Sequence, residues 1–182
     1  RMSLKTLTVI AAAIAAVALV ISAQREREAR EARLTAEATR VATAYGKDLL
    51  AAVKGALETS GPTGAIRVCK EQAPVIAAEH GKASGWRIAR TSLKPRNAAS
   101  APDPWERAVM EDFAARIAAG APPAGLVRTA TIDTDDGPVF RYVKAIPTGE
   151  PCLLCHGSDL KPDVVAALKA AYPDDKATGF GV

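Results

Sequence analysis

Histidine and cysteine are nearly missing from this chain of 182 residues, which has two of the first and three of the second. So few cysteines exclude a disulfide-built scaffold, and so few of both exclude a closed zinc site with a second Cys-x-x-Cys or His-x3-His pair. Aromatic residues make up 4% of the chain, which leaves no stacking platform for single-stranded RNA. Basic charge is not concentrated either. The formal net charge of +4 is spread over alternating Arg/Glu runs and scattered basic residues, with no Lys/Arg block, and nucleic acid is set aside as a partner. No internal repeat is visible. The balance of 48% apolar and 24% charged residues is that of one ordinary globular domain with additional segments.

The scarce residues are gathered. Pro151-Cys-Leu-Leu-Cys-His-Gly157 contains Cys-x-x-Cys-His, the attachment signature of a c-type haem: two thiols form thioethers with the vinyl groups and the adjacent histidine ligates the iron. That use takes Cys152, Cys155 and His156. Zinc is the main competing reading, but the further ligand pair that it needs is absent. A thioredoxin-like dithiol sits at a strand-to-helix junction in an alternating βα chain and has no need of the trailing histidine. One covalent haem c is therefore expected, which leaves Cys69 without an intramolecular partner.

The first 24 residues, RMSLKTLTVIAAAIAAVALVISAQ, carry Arg1 and Lys5 and then no charge from Thr6 to Gln24. At roughly 1.5 Å per residue, this run just crosses a hydrocarbon core of about 30 Å as a helix. We read 1–24 as a retained transmembrane anchor rather than a cleaved signal segment, because the run is long for an h-region and no clean Ala-x-Ala precedes Gln24. The bilayer is then a partner. Arg25 to Arg33 carries four arginines against three glutamates, so loop charge alone does not orient the span. Covalent haem attachment belongs to the exported side of bacterial membranes, which puts the body in the periplasm as a single-pass inner-membrane protein.

Residues 25–61 are almost pure helix formers. Leu34, Val41, Tyr45, Leu49, Val53 and Leu57 form one apolar stripe, read as a helical stalk or as the first helix of the domain. Gly61-Pro-Thr-Gly64 ends it, and a second helix is expected from Thr63 to Glu79 with a kink or break at Pro74. Gly85 to Thr91 reads as a short strand and Leu93 to Pro104 as a loop. Asp103-Pro-Trp-Glu106 starts a helix that runs to Ala119. Leu126 to Ile132 and Val139 to Ile146 form a hairpin, the second strand delivering the chain to the Cys-x-x-Cys-His motif. Pro162 to Tyr172 is a short helix. The expected class is α+β, with residues 62–182 as the haem domain: a small antiparallel sheet flanked by helices.

Candidates for the second face of an iron are few. Met110 shares a helix face with Phe113 and Ile117 and suits core packing. His80 stands before Gly81 at a helix end, where it suits the dipole. Cys69 lies early in its helix between Arg67 and Lys70, where the dipole and two cations favour a thiolate; burial as a small hydrophobe is an equal alternative.

AIRVCKEQAPVIA, GWRIARTSLKPRNAASAPDPWERAVMEDF, YVKAIPTGEPCLLCHG and YPDDKATGFG stand in order from about Ala65 to Gly181. In them the chain resembles a bacterial single-haem domain family with a PAS-like fold, found alone and as the exported sensing part of histidine kinases and chemoreceptor-like proteins. The resemblance implies His156 on one side of the iron and Cys69 on the other. It also implies a last Gly-rich strand beyond the GFG segment. Arg90, Lys94, Arg96 and Arg141 are candidates to neutralise haem propionates, each equally a surface charge.

With both axial positions filled no substrate reaches the iron, and the protein is not expected to be an enzyme. The expected role is electron transfer, tethered to the membrane and serving protein partners in a membrane redox complex, with a homodimer a further possibility of the stalk. The alternative is a haem-based redox or gas sensor that signals through a partner, since a thiolate ligand can dissociate on reduction. A haem peroxidase would need distal polar groups that the chain does not offer.

Overall fold

The computed structural model describes residues 4–181, with side chains from residue 14 onward. It is α+β. Its elements in order are the helix α1 (Leu4–Arg67), a π-helical turn (Val68–Gln72), α2 (Ala73–Ser84), α3 (Pro104–Ala118), strands β1 (Val127–Thr134) and β2 (Gly137–Lys144), α4 (Glu150–His156) and α5 (Pro162–Ala171), with short 3-10 turns at Ala98–Ser100 and Pro123–Gly125. Two compact units divide it, Arg1–Thr39 and Arg40–Val182.

In the first unit, no helix among the described residues is long and apolar enough to cross a membrane. The first 13 residues of the segment 1–24, read above as an anchor, lie outside the residues whose side chains are described.

The second unit begins at Arg40. The apolar stripe explains why. Tyr45 and Leu49 are buried against Ala73 of α2, with Val53, Ile76, Ala77 and Ile88 packed around them. Within the segment read as a stalk or as the first helix of the domain, the part that carries Tyr45 and Leu49 packs as a helix of the second unit.

Gly61 interrupts α1 with φ 65° and ψ −169°, a left-handed φ that a side chain disfavours, and Pro62 restarts the helix at a position where its missing N–H costs nothing. The expected second helix is thus present, starting just past the kink at Gly61. It passes without a break through Val68–Gln72, where Ala73 N–H donates to the carbonyl of Val68, five residues back. Pro74 supplies the reason. It has no N–H for the carbonyl four residues before it and its ring crowds that carbonyl, so the turn widens upstream and Pro74 becomes an early residue of α2. Cys69 therefore sits inside a widened turn and not at a helix start, and the dipole argument made for it above does not apply.

Gly85 to Thr91 forms no strand. Its side chains hold it instead: Trp86 meets Phe140 edge-on at 6.0 Å, Ile88 enters the α1–α2 core, and the Thr91 hydroxyl donates to Ser100 O at 3.2 Å. The sheet among the described residues has two antiparallel strands, β1 and β2, in register from Val127↔Lys144 to Thr134↔Gly137. The turn is tighter than expected, only Asp135 and Asp136 lying between paired residues. The hairpin packs on α3 through Val109, Phe113 and Leu126, with Val143 and Ala145 beside them.

The start of α3 is as read. Asp103 Oδ1 accepts from Glu106 N at 2.8 Å and Glu106 Oε2 from Asp103 N at 3.1 Å, a complete capping box. Arg141 of β2 completes the cap, pairing with Asp103 at 2.7 Å and Glu106 at 3.0 Å and lying 4.5 Å from the centre of the Trp105 ring. Asp103→Ala is expected to lower the unfolding free energy by about 0.5–2 kcal/mol, measured by urea denaturation.

Candidate functional site

The motif occupies α4, whose seven residues, Glu150–His156, carry Cys152, Cys155 and His156 on two turns. Both cysteines are unpaired and partly buried, but their surroundings differ. Cys155 packs against the cluster of Ile66, Val164 and Leu168, and its Sγ lies 3.9 Å from Pro62 O. Burial pushes its thiol pKa up; Arg96 opposes this, while the charges of Cys69 and Cys152 add to it. That cluster joins α5 to the end of α1, and so brings the motif beside the widened turn that bears Cys69.

His156 Nδ1 lies 2.9 Å from the carbonyl oxygen of Ala177. A carbonyl only accepts, so Nδ1 carries the proton and Nε2 keeps its lone pair. Burial lowers the imidazole pKa below its ordinary value, the nearby Arg96 charge lowers it further, and the Ala177 bond acts the other way. The result at neutral pH is a neutral imidazole with one ring nitrogen held and the other available for a metal. Phe180 meets the ring edge-on at 5.8 Å.

Gly157 closes the helix. A Cβ there would stand 2.7 Å from Leu153 O, closer than any ordinary contact, so only glycine lets the chain leave α4 this tightly. The exit is stitched to the C-terminal segment by Phe180 N to His156 O at 2.9 Å and Gly179 N to Gly157 O at 3.1 Å.

Arg96 lies behind the motif. Its Nη2 donates to Cys155 O and to Ala177 O, the latter at 3.0 Å. Its Nε stands 3.0 Å from Asp175 Oδ2, both side chains being 10% exposed. The Nε–H does not point at that oxygen, so this contact is ionic rather than a formed hydrogen bond. Removing one member of such a buried pair costs about 3–5 kcal/mol.

Cys69 is partly buried. It is near enough to Cys155, Tyr45 and Tyr172 for a thiolate there to act on all three. Burial raises both tyrosine pKa values; Arg90 pulls Tyr45 back down, and the charge of Cys69 ranks next after burial in raising Tyr172. Lys70 turns away, donating to Ala171 O at 3.0 Å and lying over the Tyr172 ring.

The remaining candidates separate. Arg90 is exposed beside the Tyr45 phenol. Lys94 lies 5.6 Å over the Phe180 ring. Arg141 is engaged at the α3 cap. His80 bonds Asp48 at 2.8 Å, with Tyr45 edge-on to its ring. Met110 is partly buried on α3, while the core positions of that helix are Val109 and Phe113. Asp175, Ala177 and Phe180 did not register in the sequence as site residues. The YPDDKATGFG segment was the only signal, and neither periodicity nor a pairing rule reveals what a loop carbonyl will accept.

Among the described residues no three Cys, His, Asp or Glu side chains converge as a zinc site demands. Two unpaired thiols and a histidine with a fixed tautomer on one short helix instead suit the two thioethers and single axial nitrogen of a c-type haem. The class is thus a small α+β domain that presents Cys-x-x-Cys-His on a helix braced by its C-terminal segment. The chain belongs to the Tll0287-like family, whose sequence model matches residues 8–182. Among solved structures it is similar to the cyanobacterial haem-protein Tll0287, with a TM-score of 0.54 and 23% identity over 78% of this chain and 84% of that one. At this identity the likeness speaks for the fold. No curated protein matches the chain.

Proposed function

We propose that this is a cytochrome-like protein carrying one covalent haem c, and that it transfers electrons. The observation that carries the reading is the state of His156, protonated on Nδ1 by its bond to Ala177 O at 2.9 Å, on the same helix as two unpaired thiols. Family membership and the likeness to a haem protein support it. Cys152 and Cys155 would hold the porphyrin edge and His156 Nε2 one axial position. Cys69, in the widened turn, is the proposed ligand on the other face. A haem held in this way supplies a one-electron ferric/ferrous couple. The chain's residues orient it and exclude other ligands, so we assign no catalysis.

The apolar run 1–24 is proposed to anchor the protein in the inner membrane with the domain in the periplasm, where it would meet protein partners of a membrane redox complex. A second reading, a redox or gas sensor, is favoured by one feature: Cys69 sits in a π-helical turn, a widened turn that can rearrange if its sulfur leaves the iron.

Production in a strain competent for cytochrome maturation tests the proposal. The purified protein is expected to show a Soret band and a mass increase equal to one haem that survives acid-acetone extraction. Absence of both sinks it.

A further inference from the structure

We infer that Arg96 and Asp175 form a positioning clamp that holds His156 in its Nδ1–H tautomer and presents Nε2 to a metal. In its bearing on haem the inference rests on the reading above; in its bearing on the imidazole it stands alone. The carbonyl that accepts the His156 proton belongs to Ala177, in a segment with no regular secondary structure. Something other than a helix or ladder must therefore aim it. Asp175 does so from one side, its Oδ1 accepting from Ala177 N at 2.7 Å. Arg96 does so from the other, its Nη2 donating to the same Ala177 oxygen at 3.0 Å. The two side chains are joined at 3.0 Å and nearly removed from solvent.

Arg96 also donates to Cys155 O, the carbonyl of the peptide that leads into His156. One guanidinium thus fixes both the peptide that carries the imidazole and the acceptor that orients it. A planar fork can satisfy two carbonyls and a carboxylate at once, whereas an ammonium on a flexible stem acts as a point charge. The clamp is itself held in the chain, Lys176 N donating to Pro95 O at 3.2 Å. Arg96 and His156 share the Ala177 oxygen, so the guanidinium fixes that oxygen where the Nδ1 proton reaches it. Through that bond it sets the basicity of Nε2, the property by which groups around a metal site tune its ligands. This is a role different from pairing with a propionate, and the two are separable.

The test compares the wild type, Arg96→Gln, Asp175→Asn and, as a purely destabilising control, Val109→Ala, all as full chains loaded with haem. Asp175→Asn keeps the side-chain oxygen that accepts from Ala177 N and removes only the charge that pairs with Arg96. The expected result is a shift of reduction potential and of low-spin g values in the same direction for Arg96→Gln and Asp175→Asn, with neither changed in Val109→Ala. Unchanged potentials and g values in both clamp variants overturn the inference. So does a shift in Arg96→Gln alone, which would mark a direct contact with a propionate.

The same chains made without haem give an independent readout. The protein has two histidines, so 15N-histidine spectra are readily assigned. The Nδ1–H to Nε2–H ratio at His156 is expected to fall in both clamp variants, roughly fivefold to tenfold in Arg96→Gln, which loses a hydrogen bond to the Ala177 oxygen, and less in Asp175→Asn, which keeps the bond to Ala177 N. An unaltered ratio overturns the clamp. A wild type that takes up no haem sinks the functional reading, while the tautomer ratio still decides the clamp.

Discussion

Replacing Cys152 and Cys155 together by alanine is expected to abolish covalent haem attachment, taking the mass gain from one haem to zero. Neither thiol is tied up in a disulfide, so both are available as thioether donors and no other cysteine on α4 can replace them. The single variants should differ. Cys155 contributes to the Ile66, Val164 and Leu168 cluster, so its loss adds a packing cost of about 1 kcal/mol to the loss of a bond. Cys152 lies outside every core cluster described, and Cys152→Ala should leave the fold intact with haem held by one thioether. Mass spectrometry after acid-acetone extraction, with thermal unfolding alongside, separates the two effects. Retention of extraction-resistant haem in the double variant would show that these thiols are not the attachment points.

Cys69→Ser should have the next largest effect. Serine has nearly the shape of cysteine, so the widened turn should hold and stability change by less than about 1 kcal/mol. The ligand changes far more. A thiolate stabilises the ferric state, and a neutral hydroxyl does not. The variant is therefore expected to lose the low-spin thiolate spectrum, to show a raised potential, and to bind carbon monoxide at micromolar levels when reduced. A spectrum identical to wild type would remove Cys69 from the iron. Carbon monoxide binding to the reduced wild-type protein would favour the sensor reading over the carrier reading.

The two variants test features of unequal visibility in the sequence. Cys-x-x-Cys-His is a local pattern, legible because its chemistry needs only the spacing of three residues along one chain segment. The apolar stripe of Val41, Tyr45 and Leu49 was legible for a similar reason: helical periodicity declares which side is buried, and Tyr45 and Leu49 are buried on Ala73. The Asp103–Glu106 capping box followed from two residue types three apart. Gly85 to Thr91 misled because β-branched and aromatic residues mark a half-buried extended segment, whether or not a neighbouring strand is there to pair with it. Pro74 announced a kink or break, and the chain met it by widening the preceding turn so that the helix runs on.

Arg96 shows the same limit from the side of the site. As a residue type it suited a propionate. Folding brings it against Cys155 O, Ala177 O and Asp175, contacts that span 59 and 81 residues of sequence. Sequence alone determined what chemistry the chain can perform, through the thiols and imidazole of one motif, and where its amphipathic helices bury their faces. Both follow from covalent spacing and from the period of a helix. Tertiary structure decided which nitrogen of His156 stays free, which motif cysteine packs on a core cluster, and what aims the carbonyl of Ala177. Those outcomes depend on hydrogen bonds and burial between distant segments, and they come into being only when the chain closes on itself.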